Sequence, residues 1–361
     1  MRRNGRVANS LLALLSRDWA GVPVALLVVG AGGGIIRLGT AAWAVTLGVL
    51  CVALGVLLLC GAVRHLVLMA REAGARPVPG KLVDVGGRRM HVLAEGAAGD
   101  GPTVVWMPGG HAPGEEFRQL HTMMAARTRS VLVDRFGSGW SDAGPFPRTT
   151  AAEAEELVAA LEGAGEQGPY VFVGHSLGGL LLANTARRRP DLVAALVLLD
   201  PTPLEVIAFG PPNRLVAGMR RRLLMTAVRH LFGVHRGRGG RTGWTCAAAS
   251  IFAELSPSGL AGAGWETVVY DGDLGDLPLV LVIPRDLTGG EAVLDAAADP
   301  VEAERIGRFY LRARTRYLAA STAARVVYTP DGTGHDFPQE HPAFVVGVVA
   351  DLVAELRALS P

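Results

Sequence analysis

The sequence predicts an α/β fold, a mostly parallel sheet with helices on both faces and a helical cap insertion, preceded by two transmembrane helices. After residue 80, short β-branched and aliphatic runs alternate with helical stretches, which is typical of a buried parallel sheet. Before residue 64, two long apolar runs are almost free of charge. The predicted segments are a cytoplasmic N-terminus (1–18), a hairpin (19–63), a linker (64–80), the sheet domain (81–202 and 277–361) and the cap (203–276).

The composition excludes several classes of protein. Half of the 361 residues are apolar and only 19% are charged, which is unlike a disordered chain. A net charge of +2 gives no general argument for nucleic-acid binding. The three cysteines, Cys51, Cys60 and Cys246, are too few for a disulfide framework and too far apart for a zinc pair, which favours a reducing compartment.

The two apolar runs predict membrane spans. Trp19 to Ile36 and Leu38 to Val63 carry no charge, and Arg37 separates them. As helices they would extend about 27 Å and about 39 Å, against a hydrocarbon core of about 30 Å. The first run is therefore marginal in length.

The positive charges near the spans predict their orientation. Arg17 precedes the first run and Arg64 follows the second, each with further arginines beside it, whereas Arg37 stands alone between them. A hairpin with both ends, and hence the following domain, in the cytoplasm is expected. If only the second run spans, the rest of the chain could lie outside. The remaining alternative is a buried helical pair of a soluble protein.

The predicted sheet begins with a β-hairpin whose turn is Gly86-Gly87. Six further buried strands are expected at Thr103 to Met107, Ser130 to Val133, Tyr170 to Val173, Ala195 to Leu199, Leu279 to Ile283 and Arg325 to Tyr328. The helices between and after them are expected at Ala151 to Glu162, Gly178 to Arg188 and Phe344 to Leu359.

A Gly-x-Ser-x-Gly segment, Gly174 to Gly178, lies between an apolar strand and an amphipathic helix. This context predicts a sharp strand-to-helix turn that exposes Ser176 as a nucleophile. Because Leu177 begins the helix, its backbone N–H has no intrahelical partner and can bind an oxyanion. We expect the N–H of Gly110, in the glycine-rich loop after Met107, to be the second oxyanion donor. An ordinary turn explains that loop equally well.

A serine nucleophile requires a base and an acid. His335, in the polar glycine-rich loop Asp331 to Phe337, is the expected base because imidazole titrates near neutral pH. Two acids remain open. Asp286 and Asp200 each follow a predicted strand, at the sheet edge where α/β sites form; Asp286 is preferred because Asp200 precedes a proline and is also a common turn former.

The predicted cap carries local positive charge. Between Val206 and Ala253 there is no Asp or Glu, but there are eight arginines among apolar residues. This pattern is typical of an amphipathic helix that rests on anionic lipid. A solvated cap face whose apolar side covers the site is the alternative. Nucleic acid is not expected as a partner, because no aromatic platform accompanies the arginines.

A further segment, Asp134-Arg-Phe-Gly-Ser-Gly-Trp-Ser-Asp142, completes a set of motifs with the Ser176 turn and the late Gly334-His335. Together they resemble the α/β-hydrolase superfamily, in its serine esterase, lipase and iminopeptidase-like branch, from about Lys81 to Leu359. The resemblance implies the α/β-hydrolase fold and the chain order serine, acid, histidine. Epoxide hydrolases and dehalogenases of that fold have Asp in place of Ser176, which argues against their chemistries.

We therefore expect a membrane-anchored serine hydrolase that cleaves lipid-like or apolar carboxylic esters, with no cofactor or metal. The alternatives are a peptidase or amidase of the same fold and a non-catalytic membrane scaffold. An iminopeptidase is disfavoured because the cap stretch lacks a carboxylate for a substrate amine.

Overall fold

The structure is a computed structural model, and it describes residues 10–75, 77–99, 101–110, 112–203, 213–234, 272–285 and 299–359, with the backbone alone at 72–75 and 213–220. Its strands are β1 (Lys81–Asp84), β2 (Arg89–Glu95), β3 (Thr103–Met107), β4 (Ser130–Asp134), β5 (Tyr170–His175), β6 (Val193–Leu199), β7 (Leu279–Ile283) and β8 (Ala324–Tyr328). Its longer helices are α1 (Gly21–Leu38), α2 (Ala42–Ala75), α3 (Arg118–Ala125), α4 (Thr150–Ala164), α5 (Leu177–Arg188), α6 (Asn213–Leu231), α7 (Pro300–Thr315) and α8 (Pro342–Leu359).

The strands form one sheet in the order β1-β2-β4-β3-β5-β6-β7-β8. The pairs β1/β2 and β2/β4 are antiparallel, and all other pairs are parallel. Gly86 and Gly87 have φ of 63° and 79°, the left-handed geometry that the tight β1–β2 turn needs and glycine readily adopts. The carboxyl ends of β3, β5, β6 and β7 lie along one edge of the sheet.

Two apolar layers hold the sheet between helices. Helices α4 and α5 cover one face, and α3 and α8 cover the other. Because both faces are covered, consecutive residues such as Val171, Phe172 and Val173 of β5 are all fully buried. This is why the central strands are continuous apolar runs. The rigid core therefore fixes the strand ends on which the site is built.

Helices α1 and α2 form the N-terminal hairpin and are candidate membrane spans. Their large apolar side chains are mostly exposed, for example Leu27, Trp43 and Leu57 at 73%, 73% and 70%, unlike those of a buried helical pair. The bounds differ from the sequence prediction: Arg37 lies in the last turn of α1, and α2 continues to Ala75 through much of the predicted linker. A helix continues through single charged residues because its backbone hydrogen bonds do not depend on them.

Small residues let α1 and α2 pack closely. A Cβ on Gly32 would lie 2.8 Å from the carbonyl oxygen of Gly48, and one on Gly55 would lie 2.8 Å from the backbone nitrogen of Val29. Close backbone approach at small residues is how helices associate in a bilayer. At the other end of the hairpin, the fully buried ring of His65 bonds Asp18 through Nε2, at 2.9 Å.

The end of α6 packs against the base of this hairpin. A Cβ on Gly21 would lie 2.6 Å from the carbonyl oxygen of Leu231, and one on Gly61 would overlap the carbonyl oxygen of Phe232. Arg64 Nη1 donates to the carbonyl oxygen of Gly233 at 3.0 Å. The end of α6 and the turn after it, within the predicted cap, thus contact both candidate spans; cap residues 204–212 and 235–271 lie outside the described ranges.

Gly61→Ala is expected to weaken this attachment. Its new methyl group would meet the Phe232 carbonyl, and such overpacking costs about 1–3 kcal/mol of unfolding free energy. Unfolding in detergent measures the loss. Gly33→Ala is the control, since its Cβ would have no neighbour within 4 Å. Equal stabilities of the two variants would contradict the observed packing.

Candidate active site

Ser176 lies at the sharp turn between β5 and α5. Its φ of 52° and ψ of −122° are unusual for a residue with a side chain, and such a strained backbone is typical of the turn that exposes a nucleophile. The flanking glycines allow the turn: a Cβ on Gly174 would lie 2.7 Å from the carbonyl carbon of Gly178, and one on Gly178 would lie 2.5 Å from the carbonyl oxygen of Pro108. The predicted strand-turn-helix geometry is present.

His335 and Asp200 meet beside this turn. Asp200 directly follows β6, and its Oδ2 lies 2.6 Å from Nδ1 of His335, which comes from the loop after β8. The backbone N–H of Asp200 donates to the carbonyl oxygen of Val282 on β7 at 2.8 Å, which fixes the acid at the sheet edge. Asp286, the acid preferred from sequence, lies outside the described residues.

The pair is strongly coupled electrostatically. Burial lowers the pKa of His335, but the hydrogen bond and negative charge of Asp200 outweigh it, so this pKa is raised above its ordinary value of 6.5. Burial raises the pKa of Asp200, but the hydrogen bond from His335 and the charge of Arg314 outweigh it, so this pKa is lowered. At neutral pH Asp200 is therefore a carboxylate, and it accepts a hydrogen bond from Nδ1 of His335.

Two groups beside the pair were not predicted from sequence. The Ser176 hydroxyl bonds the Thr202 hydroxyl at 3.2 Å, and the Thr202 N–H donates to the carbonyl oxygen of Ser176 at 2.9 Å. Arg314 pairs with Asp200 through Nη1. Thr202 gave no sequence signal. Arg314 did, because it falls on the apolar side of α7 with Ile306 and Ala313.

His175 supports the loop that carries His335. Its Nε2 donates to the carbonyl oxygen of His335 at 2.9 Å, and the two ring centroids are 4.5 Å apart. Burial lowers the pKa of His175 to about 3, so the ring is neutral and serves as a fixed donor. His175 thus faces His335 and holds the backbone of the loop that carries it.

The loop after β3 lies against the nucleophile. A Cβ on Gly109 would lie 3.1 Å from Cβ of Ser176, so a side chain there would crowd the nucleophile. Arg135 Nη2 donates to the carbonyl oxygen of Gly109 at 3.1 Å and holds the loop in place. Gly110 follows Gly109, and Leu177 begins α5. One predicted oxyanion donor, Leu177, therefore directly follows Ser176 in the chain, and the other, Gly110, directly follows the glycine that lies against Ser176.

Asp134 organises the segment from Asp134 to Asp142. Its carboxylate accepts from the N–H of Gly114 at 2.6 Å and of Trp140 at 3.0 Å, and it pairs with Nδ1 of His91 at 2.8 Å. The motif therefore ties the loops under the site together. Among the described residues, no group of three His, Cys, Asp or Glu is placed to hold a metal ion.

Comparison with known proteins identifies the family. Residues 104–348 match the alpha/beta hydrolase family, which is more than half of the chain. The chain belongs to the alpha/beta hydrolase family. Curated relatives match over shorter segments. The uncharacterized protein YbdG of Bacillus subtilis is 30% identical over 38% of this chain and 42% of its own length.

Two further relatives are named for their activities. Lipase LipV of Mycobacterium tuberculosis is 53% identical over 15% of this chain and 21% of its own length. The pimeloyl-[acyl-carrier protein] methyl ester esterase of Chromobacterium violaceum is 37% identical over 32% of this chain and 42% of its own. This chain spans less than half the length of each of these relatives.

Solved structures share the alpha/beta hydrolase fold. A probable hydrolytic enzyme from Pseudomonas aeruginosa PAO1 matches with a TM-score of 0.56 and 21% identity, over 77% of this chain and 94% of that one. Carboxylesterase CesB from Bacillus subtilis matches with a TM-score of 0.52 and 16% identity, over 80% of this chain and 96% of that one. At these identities the likeness concerns the fold alone.

Proposed function

We propose that the protein is a membrane-anchored serine hydrolase that cleaves carboxylic esters with lipid-like or apolar acyl groups, through an acyl-enzyme on Ser176. The observation that carries this proposal is the 2.6 Å contact of His335 Nδ1 with Asp200 Oδ2 beside a serine in nucleophile-turn geometry. We assign Asp200 as the acid on that contact. The names of relatives, a lipase and an esterase, support the ester class.

Acylation begins when the Ser176 hydroxyl leaves Thr202 and bonds Nε2 of His335, the ring nitrogen that does not face Asp200. Oγ attacks the acyl carbonyl carbon as its proton moves to Nε2, and the carbonyl electrons move to oxygen. The N–H groups of Leu177 and Gly110 stabilise this oxyanion, and one such donor contributes about 10²- to 10³-fold in rate. The carbonyl then re-forms, the bond to the alcohol oxygen breaks, and His335 protonates the alcohol.

Deacylation repeats these steps with water. His335 takes a proton from water as the oxygen attacks the acyl carbon, and the same N–H groups stabilise the second oxyanion. When the bond to Oγ breaks, His335 returns the proton to Ser176 and the acid leaves. Throughout, Asp200 keeps Nδ1 protonated and stabilises the imidazolium.

The hairpin supports an apolar substrate. Helices α1 and α2 expose their apolar side chains, and α6 is attached to their base. Arg221, Arg222 and Arg229 of α6 are exposed, as expected of a cap that contacts anionic lipid. Together these features support a lipid surface beside the cap.

A panel of p-nitrophenyl esters, from acetate to laurate, with the matching anilides, tests the substrate class. We expect ester hydrolysis that becomes faster with longer acyl chains and amide hydrolysis at least about 100-fold slower, since an amine is the poorer leaving group. Comparable amide rates would favour the amidase alternative. No ester hydrolysis by folded protein in detergent or vesicles would contradict the proposal.

The arginines at the base of the hairpin support a two-span topology with the catalytic domain in the cytoplasm. Arg17 and Arg64 both lie at this end, and Asp18 pairs with His65 between them. Reporter fusions after Arg64 and at the C-terminus test the topology. Both should report the cytoplasm, and an external signal at the C-terminus would contradict it.

A further inference from the structure

The carboxylate of Asp200 has two ionic partners. Oδ2 faces Nδ1 of His335 at 2.6 Å, and Oδ1 bonds Nη1 of Arg314. Asp200 and Arg314 are each about 5% exposed, so this ion pair is out of water. The Arg314 guanidinium bonds the second oxygen of this carboxylate in a buried environment. The low dielectric there makes the hydrogen bond and the charge–charge attraction stronger than in an exposed ion pair.

Helix α7 places Arg314 there. Asp299 caps the helix by accepting from the N–H of Glu302, and Pro300 begins it. Near its other end, the Arg314 guanidinium carbon lies 5.9 Å from the ring centroid of Tyr310, one turn earlier. Arg312, two residues away, points to solvent on the opposite side of the helix.

We propose that Arg314 is a positioning residue for the acid–base pair, one that fixes the orientation of the Asp200 carboxylate and screens part of its negative charge from His335. The inference rests on the proposed function, because it assigns a role within that acid–base pair. Removal of Arg314 would leave His335 as the one described side-chain partner of the Asp200 carboxylate and would let the full carboxylate charge act on the imidazole.

The surroundings of His335 give the sign of the effect. Burial and the charge of Arg314 disfavour the imidazolium of His335, whereas Asp200 and Asp336 favour it; the neighbouring His175 ring is neutral. The net result is a raised pKa for His335, so activity should be lost on the acid side of a midpoint above 6.5. Loss of the Arg314 charge removes one opposing contribution and raises this pKa further.

On the Asp200 side, Tyr310 is the other titratable neighbour. Burial raises the pKa of its hydroxyl to about 12, so it stays neutral through the measured range and adds no competing titration. The loss of reactivity at acid pH therefore reports the protonation of His335.

The test is the pH dependence of the second-order rate constant for inactivation by a fluorophosphonate, measured on the full chain in detergent. Arg314→Gln keeps a hydrogen-bond donor for Asp200 but removes the charge, and Arg314→Met removes both. In both variants, the pH midpoint at which the rate constant falls on the acid side should rise by about 1 pH unit. Arg314→Lys should restore the wild-type midpoint, and Arg312→Met, which removes an exposed charge from the same helix, should leave it unmoved.

A purely structural role for Arg314 would lower the rate equally at every pH. An unmoved midpoint in Arg314→Gln would therefore overturn the inference while leaving the proposed function intact, provided that wild type reacts and His335→Ala does not. An equal shift in Arg312→Met would also overturn it, since the effect would then be one of net charge. If folded wild-type protein is inert to the probe, the proposed function itself fails.

Discussion

Ser176→Ala is expected to lower kcat/KM for p-nitrophenyl esters by on the order of 10⁴- to 10⁶-fold and to abolish labelling by a fluorophosphonate. The hydroxyl is the group of this residue that forms the acyl bond in the proposed mechanism, and alanine leaves nothing at this position to attack the ester. Alanine removes one oxygen atom, so the fold should persist. Steady-state kinetics, probe labelling and circular dichroism measure the three expectations.

The chain offers a matched control in a second serine–histidine–carboxylate group. Ser130 Oγ lies 3.0 Å from His121 Nδ1, and His121 Nε2 lies 3.1 Å from Glu95. Burial lowers the pKa of His121 to about 4, so its ring is neutral. Ser130, however, is fully buried at the start of β4, away from the strand ends where sites form, and Trp106 donates to its oxygen at 2.9 Å.

Ser130→Ala should therefore remain active and labelled, although loss of its buried hydrogen bonds costs about 1–3 kcal/mol of unfolding free energy. Comparing Ser130→Ala with Ser176→Ala separates the effect of position from that of residue type, because each serine lies near a histidine and a carboxylate. Labelling of folded Ser176→Ala as strong as that of wild type would exclude Ser176 as the nucleophile.

Asp200→Asn is expected to lower kcat/KM on the order of 10⁴-fold, whereas Asp286→Asn should stay within about threefold of wild type. An amide at position 200 can donate to Nδ1 of His335, which favours the wrong tautomer and offers no charge to the imidazolium. The two substitutions remove the same charge from residues that follow neighbouring strands. Kinetics on both variants, with folding checked by circular dichroism, measure the difference.

The opposite outcome is equally informative. If Asp286→Asn loses activity and Asp200→Asn keeps it, the Asp200–His335 contact is structural and the acid is the one preferred from sequence. Loss in both variants would indicate a second carboxylate acting on the same histidine.

The sheet could be predicted closely because each central strand is buried on both faces and is therefore a continuous apolar run. The predicted bounds of β3 and β7 match the structure, and those of β6 differ by two residues. The hairpin bounds were less accurate. Arg37 interrupts the uncharged run but not the backbone hydrogen bonds of α1, so charge placed the boundary too early.

The acid could not be chosen from sequence because β6 and β7 are adjacent and parallel, so both strands end at the same sheet edge. The contact with His335 depends on the path of the loop after β8, which local pattern does not determine. Arg314 was missed for a different reason. An arginine on the apolar side of α7 indicates a buried ionic partner, but that signal is visible only when the helix itself is recognised.

The most direct test of the central claim is the covalent intermediate. Folded protein in detergent is mixed with a p-nitrophenyl ester, and the reaction is quenched in acid during turnover. The protein is then digested, and the peptide masses are measured by mass spectrometry. We predict the acyl group on the peptide that contains Ser176, and its absence from that peptide in Ser176→Ala. Ester turnover with no acylated peptide, or with the acyl group on another residue, would contradict the account.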